Sequence, residues 1–318
     1  GGLTEEQRKV RRVEDLLAGV GLTQVVVYSF IDPVWLTALR LSVESPEAKP
    51  VTIRNPLSVE QSVMRTMLLP GLLAAAARNH AMREERIHLF EVGRTFHPER
   101  PSEFGGGLPG EANGLGFVLS GPIAEEHWEE EIRASDFFAA KGLVERLLEG
   151  LGVAASFGRT DKPFLHPGKA AHVLAGGQEV GWVGEVHPLV LQAFDLPEAL
   201  VAAELDLDAL SAMGRSLTVF EDLITYPAIE QDLALVVDQN LQADRVLRVV
   251  AEAGGPLLRE ARVFDVYEGP QVGAGRRSLA LRLTFRSSER TLSEEEINRL
   301  RSEMLPVLRE RLGAELRS

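Results

Sequence analysis

The chain contains no cysteine. That excludes disulfides, thiolate metal sites and a cysteine nucleophile, and it fits a reducing cytoplasmic setting. No apolar run approaches the ~18 residues of a membrane span, and Gly1–Arg12 is too polar and charged for a secretory leader. There is no Gly-x-Ser-x-Gly elbow and no His-Glu-x-x-His. The glycines at 105–107 lack the preceding strand, following helix and Lys-Ser/Thr of a phosphate loop. Lysine is missing from residues 224–318, where all 14 basic side chains are arginine. Arginine forks grip phosphate and stack on bases better than lysine does.

What is present is ordinary globular material: 318 residues, 45% apolar and 25% charged. The length suggests two domains, each able to bury its own core. The net charge of −13 argues at first against a nucleic-acid partner. It is unevenly spread, however, at −12 over residues 1–223 and −1 over residues 224–318. The opening Gly-Gly runs straight into a helical pattern, as expected of a piece of a longer chain.

Periodicity predicts an amphipathic helix over Leu3–Gly19, with Thr4 and Gln7 as its capping box. It predicts a buried strand at Val25–Phe30 and a short one at Val51–Arg54, then a Leu/Ala-rich helix over Gly71–His80. A strand is expected at Ile87–Phe96, a mobile loop over Pro98–Gly114 and a strand at Leu115–Ser120. A helix over Asp136–Leu151 precedes a hairpin around Gly176-Gly177 and a strand at Ala199–Asp206. Short turns between strands imply a mainly antiparallel sheet and an α+β class. After a boundary near Ser211–Leu223, the order is strand, helix, strand, strand, helix, strand. This βαββαβ run is the ferredoxin-like unit.

Period-two alternation sorts the faces of this second sheet. Leu279, Leu281, Leu283 and Phe285 point one way, and Arg282, Thr284 and Arg286 the other. Phe264 and Val266 are expected on the apolar face, leaving Asp265 and Tyr267 opposite. The open face then carries Tyr267, Arg282 and Arg286, with Arg276, Arg277 and Arg290 in nearby loops. Such a face can hold single-stranded RNA by stacking and phosphate contact. The alternative is a solvated face with Arg282 or Arg286 paired to Asp265.

Several blocks resemble one family. Asn55–Gly71 (NPLSVEQSVMRTMLLPG), Ile87–Phe96 (IHLFEVGRTF), Asp136–Gly142, Phe164–Gly168 and Gly184–Pro188 are similar, in order, to segments of the β subunit of bacterial phenylalanine–tRNA ligase. Phe264–Gly269, Ser278–Arg286 and Arg290–Leu292 resemble its anticodon-binding domain. One departure is Glu230-Gln231-Asp232-Leu233, where the family usually has arginine before the Asp-Leu. The resemblance implies the C-terminal part of that subunit. Residues 1–210 would be a class II synthetase-like, mainly antiparallel domain without catalysis. Residues 224–318 would be a ferredoxin-fold anticodon-binding domain.

It further implies a partner α subunit in an (αβ)₂ heterotetramer and tRNA(Phe) as ligand. ATP and Mg²⁺ would be used by the holoenzyme and bound elsewhere than in this chain. Arg65, Glu91 and Arg94 are the residue types an ATP site needs, but no Gly-rich, arginine-bearing segment completes one. They are expected to hold the fold, and no catalytic residue is assigned. His166, His172, Glu185 and His187 lack metal-site spacing. His166-Pro167 and His187-Pro188 read as turns, and no metal ligand is assigned. An apolar patch that only a partner covers is expected on the first domain, with Leu68, Leu69, Leu72 and Leu73 as candidates. The competing reading is a free-standing RNA-binding or regulatory module derived from such a subunit.

Overall fold

The computed structural model describes residues 2–102, 105, 108–124, 128, 133–197, 199–213 and 226–317. The chain divides into two compact units, Gly1–Leu217 and Thr218–Ser318.

The first unit opens with α1 (Glu5–Gly19), β1 (Thr23–Gln24), β2 (Phe30–Ile31), α2 (Pro33–Ala38), β3 (Val63–Met64) and α3 (Leu69–Ala81). Then come β4 (Ile87–Pro101), β5 (Pro109–Ser120), α4 (Phe137–Leu151), β6 (Ala155–Arg159) and β7 (Leu165–Ala175). It closes with β8 (Gln178–Val186), α5 (Pro188–Ala193), β9 (Leu200–Asp206) and α6 (Leu207–Ala212). Seven strands form one sheet in the order β1-β4-β5-β9-β8-β7-β6. Only β1 with β4 is parallel.

Alternation sends the two sides of each strand into two cores. Phe90 and Phe117, opposite each other, join α1 and α4 on one face. Leu89 and Val118, the next pair, join α3 and α5 on the other. Local chemistry sets the helix ends. Thr4 and Gln7 make the expected capping box on α1. Asp136 caps α4 by accepting from the Ala139 N–H. The β7–β8 hairpin turns at Gly176 and Gly177, whose φ values of 56° and 81° favour glycine.

The structure departs from three expectations here. Between β1 and β2, residues 25–29 form no strand, and Val26 and Tyr28 are 88% and 75% exposed. Their apolar character reflects surface rather than core. At Val51–Arg54 there is only an isolated bridge, Thr52 to Val63. The segment Pro98–Gly114 is not simply a loop: β4 runs on to Pro101 and β5 begins at Pro109, extending the hairpin past the apolar part. Residues 103, 104, 106 and 107 lie outside the described residues.

The second unit contains β10 (Ile229–Asp238), α7 (Ala243–Gly254), β11 (Leu258–Tyr267), β12 (Arg276–Phe285), α8 (Glu294–Leu312) and β13 (Glu315–Leu316). Its sheet has the order β11-β12-β10-β13, antiparallel throughout. This is the expected βαββαβ topology. Both helices lie on one face, over Leu233, Leu235, Val237, Leu279, Leu281, Leu283 and Phe285. Ser293 and Glu296 form a reciprocal capping box that starts α8.

Candidate nucleic-acid interface

In the first unit, Arg65 and Glu91 are 3% and 2% exposed and face each other, Nη1 to Oε1 at 2.8 Å. Arg65 Nε donates to the Arg94 carbonyl at 2.7 Å, and Glu91 Oε1 also accepts from the Val27 N–H at 3.3 Å. Burial raises the Glu91 carboxyl above its usual range against the opposing pull of Arg65. Both groups are spent on tying β4 to the segments before α3. Arg94 pairs with Glu111 at the surface.

Glu204, which sequence reasoning did not single out, completes this buried cluster. From β9 it reaches the start of α3, where Leu68 and Leu69 N–H groups donate to it at 3.0 and 3.2 Å. Leu68 cannot cap the helix with its own side chain, so a carboxylate from across the sheet does so. Burial pushes its pKa up to about 7. The signal was a lone carboxylate inside the apolar run of β9.

The four leucines expected at a partner surface are core. Leu68, Leu69, Leu72 and Leu73 are at most 1% exposed, packed under the sheet in α3. Each such burial contributes about 1.5–3 kcal/mol, so the fold takes them first. Exposed apolar side chains of this unit lie instead at Val26, Tyr28, Phe30, Val34, Leu57 and Val59. His187 caps α5, its Nδ1 accepting from the Leu189 N–H at 3.1 Å, and His166 Nδ1 accepts from the Gly168 N–H at 3.1 Å. Both histidines act in turns, as their prolines imply. Among the described residues no group of three or more His, Asp or Glu is placed to hold a metal ion, and no helix is long and apolar enough to cross a membrane.

In the second unit, the sheet face opposite the helices carries residues from three strands. Arg282 lies across from Asp232 on β10 and Arg262 on β11, and directly opposed residues share a face. Its guanidinium makes a two-pronged bond to Asp232, Nε to Oδ1 at 2.8 Å and Nη2 to Oδ2 at 3.0 Å, with Glu230 at 3.9 Å. Thus Arg282 is paired, though to Asp232 rather than to Asp265. Tyr267 is half-buried, with the Arg317 guanidinium 4.5 Å from its ring centre and Arg317 tied to Gln271.

The other arginines also have internal partners. Arg286 Nε donates to the Tyr226 carbonyl at 2.8 Å. Arg290 makes two bonds to Glu296, at 2.8 and 2.6 Å. Arg276 and Arg277 were expected in loops but begin β12. Arg276 pairs with Glu315 at 3.0 Å, and Arg277 donates to the Leu241 carbonyl at 2.7 Å.

A β-bulge between Val263 and Asp265 overturns the expected placement of Phe264. Ala261 and Val263 pack toward the helices. Phe264 follows Val263 onto the open face, 48% exposed, with its ring 5.0 Å from the Arg282 guanidinium, and the bulge keeps Asp265 and Tyr267 on that face as well. Val266 stays in register with Leu279, yet is half-exposed on the edge strand. Strict alternation cannot foresee a bulge. Gln231 points toward α8, where its Nε2 donates to Asn298 at 3.3 Å. The departure at that position therefore bears on packing, not on the open face.

The fold and this face define a class. A seven-stranded antiparallel-dominated sheet unit precedes a ferredoxin-fold unit with one open face, the architecture of a class II synthetase-like domain joined to an anticodon-binding domain. Part of the fold is shared with the pyrrolysyl-tRNA synthetase of Desulfitobacterium hafniense, at a TM-score of 0.50 and 15% identity over 66% of this chain and 69% of that one. Residues 1–207 match the family described as the phenylalanyl tRNA synthetase beta chain CLM domain, and residues 225–317 match the ferredoxin-fold anticodon binding domain.

The chain belongs to the phenylalanyl tRNA synthetase β-chain family. It is 38% identical to the phenylalanine–tRNA ligase β subunit of Carboxydothermus hydrogenoformans and 40% identical to that of Moorella thermoacetica, in both cases over its whole length. It spans about two fifths of the length of these relatives, 39% and 40%.

Proposed function

We propose that this chain is a non-catalytic, tRNA-binding portion of a cytoplasmic phenylalanine–tRNA ligase. Its first domain, residues 1–210, packs on an α subunit within an (αβ)₂ assembly. Its second, residues 224–318, binds tRNA(Phe) through the open sheet face. ATP, Mg²⁺ and phenylalanine are handled by the α subunit. The observation that carries this reading is a ferredoxin-fold sheet with helices on one side only, its other side bearing Tyr267 and Arg282. Membership of the family supports it. So does the state of Arg65, Glu91 and Glu204, which are committed to one another and to backbone groups in the core.

The α subunit is assigned to the exposed apolar side chains at Val26, Tyr28, Phe30 and Val34, in place of the buried leucines of α3. A charge introduced there costs no core packing but cannot be desolvated cheaply at an interface. Co-expression with an α subunit of the ligase tests the reading. The chain is expected to co-purify with α, and Tyr28→Asp is expected to abolish that while leaving the melting temperature unchanged. With the rest of the β subunit restored, the complex charges tRNA(Phe). Failure of both complex formation and charging would remove the reading.

A further inference from the structure

The open face of the second unit holds two aromatic rings, each with a guanidinium over it: Tyr267 with Arg317, and Phe264 with Arg282. Three residues of strand separate the rings by roughly 10 Å. That spacing suits consecutive bases splayed from a single strand, and sheets of this topology stack two or three bases on such rings. Val263 packs toward the helices, so its neighbour Phe264 takes an outward position, where a large ring is left 48% exposed. Phe264 is the unpaired residue of a bulge, which leaves it and Asp265, neighbours in sequence, on the same face and brings Tyr267 there too.

Arg282 cannot serve as a phosphate anchor, because Asp232 holds both its prongs and Glu230 stands nearby. It instead fixes the ring of Phe264 from one side, on an edge strand where the remainder of the ring is open. Arg262, on the same face directly across from Arg282, is exposed. Its charge is felt by Asp232, which Arg282 already holds by both oxygens. Asp232, Glu230 and Asp265 share this surface, so charge alone does not favour a phosphate track here. Stacking must supply the affinity.

We propose that Phe264 is a second base platform beside Tyr267: one base of a single-stranded RNA loop stacks on its ring, and Arg262 holds the adjoining phosphate. The inference rests on the tRNA-binding reading above and names two contact residues within it.

The test uses the full chain and an RNA hairpin with an anticodon-sized single-stranded loop carrying 2-aminopurine, titrated by fluorescence at low ionic strength. Phe264→Leu keeps an apolar side chain but removes the ring. It is expected to weaken binding by about 5- to 100-fold, whereas Phe264→Trp binds as tightly as the unaltered chain. Arg262→Gln is expected to weaken binding and to lower the salt slope by about one. Circular dichroism melts confirm that each variant is folded. If the unaltered chain binds and Phe264→Leu binds equally well, the platform is wrong while RNA binding stands. If the unaltered chain does not bind the hairpin at all, the tRNA reading fails and the platform with it.

Discussion

Glu204 and His88 sit in the same sheet unit and respond to pH with opposite sign. Glu204 is raised to about 7 by burial, well above an ordinary glutamate. Its contribution is full below the unfolded value and is lost as pH rises toward 7. His88, buried against Ser135 at 3.1 Å, is lowered to about 4 by burial. Its contribution is full above the unfolded value near 6.5 and is lost as pH falls toward 4. Each shift corresponds to about 3 kcal/mol, and the windows overlap, so the two effects offset in the unaltered protein. Relative to that protein, Glu204→Gln is expected to gain stability with rising pH across this window, and His88→Gln to lose it. Urea midpoints at several pH values measure both slopes, and parallel profiles for all three proteins would refute the assignment.

At the scale of elements, the start of α3 depends on side chains from β4 and β9 rather than on its own sequence. Arg65 is the only guanidinium bonded to Glu91 among the described residues. Removing it leaves a buried carboxylate whose second oxygen already lacks a partner. Arg65→Met should therefore destabilise by about 3–5 kcal/mol, and adding Glu91→Leu should recover part of that loss. Equilibrium urea unfolding of the single and double variants checks this; a double variant less stable than the single would contradict it. In the second unit, Ser293→Ala removes one half of the capping box of α8 and should cost about 1 kcal/mol.

Across the whole molecule, each unit has its own core. All three tryptophans, at positions 35, 128 and 182, fall in the first unit. Tryptophan fluorescence during denaturation should therefore follow that unit, while far-ultraviolet circular dichroism follows both. Glu204→Gln is expected to shift the fluorescence transition, whereas Ser293→Ala moves only the part of the dichroism signal that fluorescence does not see. Coincident transitions, shifted together by either variant, would show one cooperative unit instead.

The sequence by itself determined the two-part organisation, the α+β class and the βαββαβ order, because hydrophobic period and turn chemistry are local. It also located the capping box of α1, the His187 turn and the buried side of β12. Its ordered blocks pointed to the right family. What it could not assign was any property that depends on a second segment. The leucines of α3 look like a free apolar surface until the sheet covers them, and Val26 and Tyr28 look like core although residues 25–29 form no strand and leave both exposed. Arg282 looks unpaired until register brings Asp232 across from it. Phe264 and Asp265 share the open face because one inserted residue breaks the alternation between Val263 and Val266. Pairing register and burial are long-range quantities, so only the tertiary structure decided which arginines are spoken for and which ring is left open.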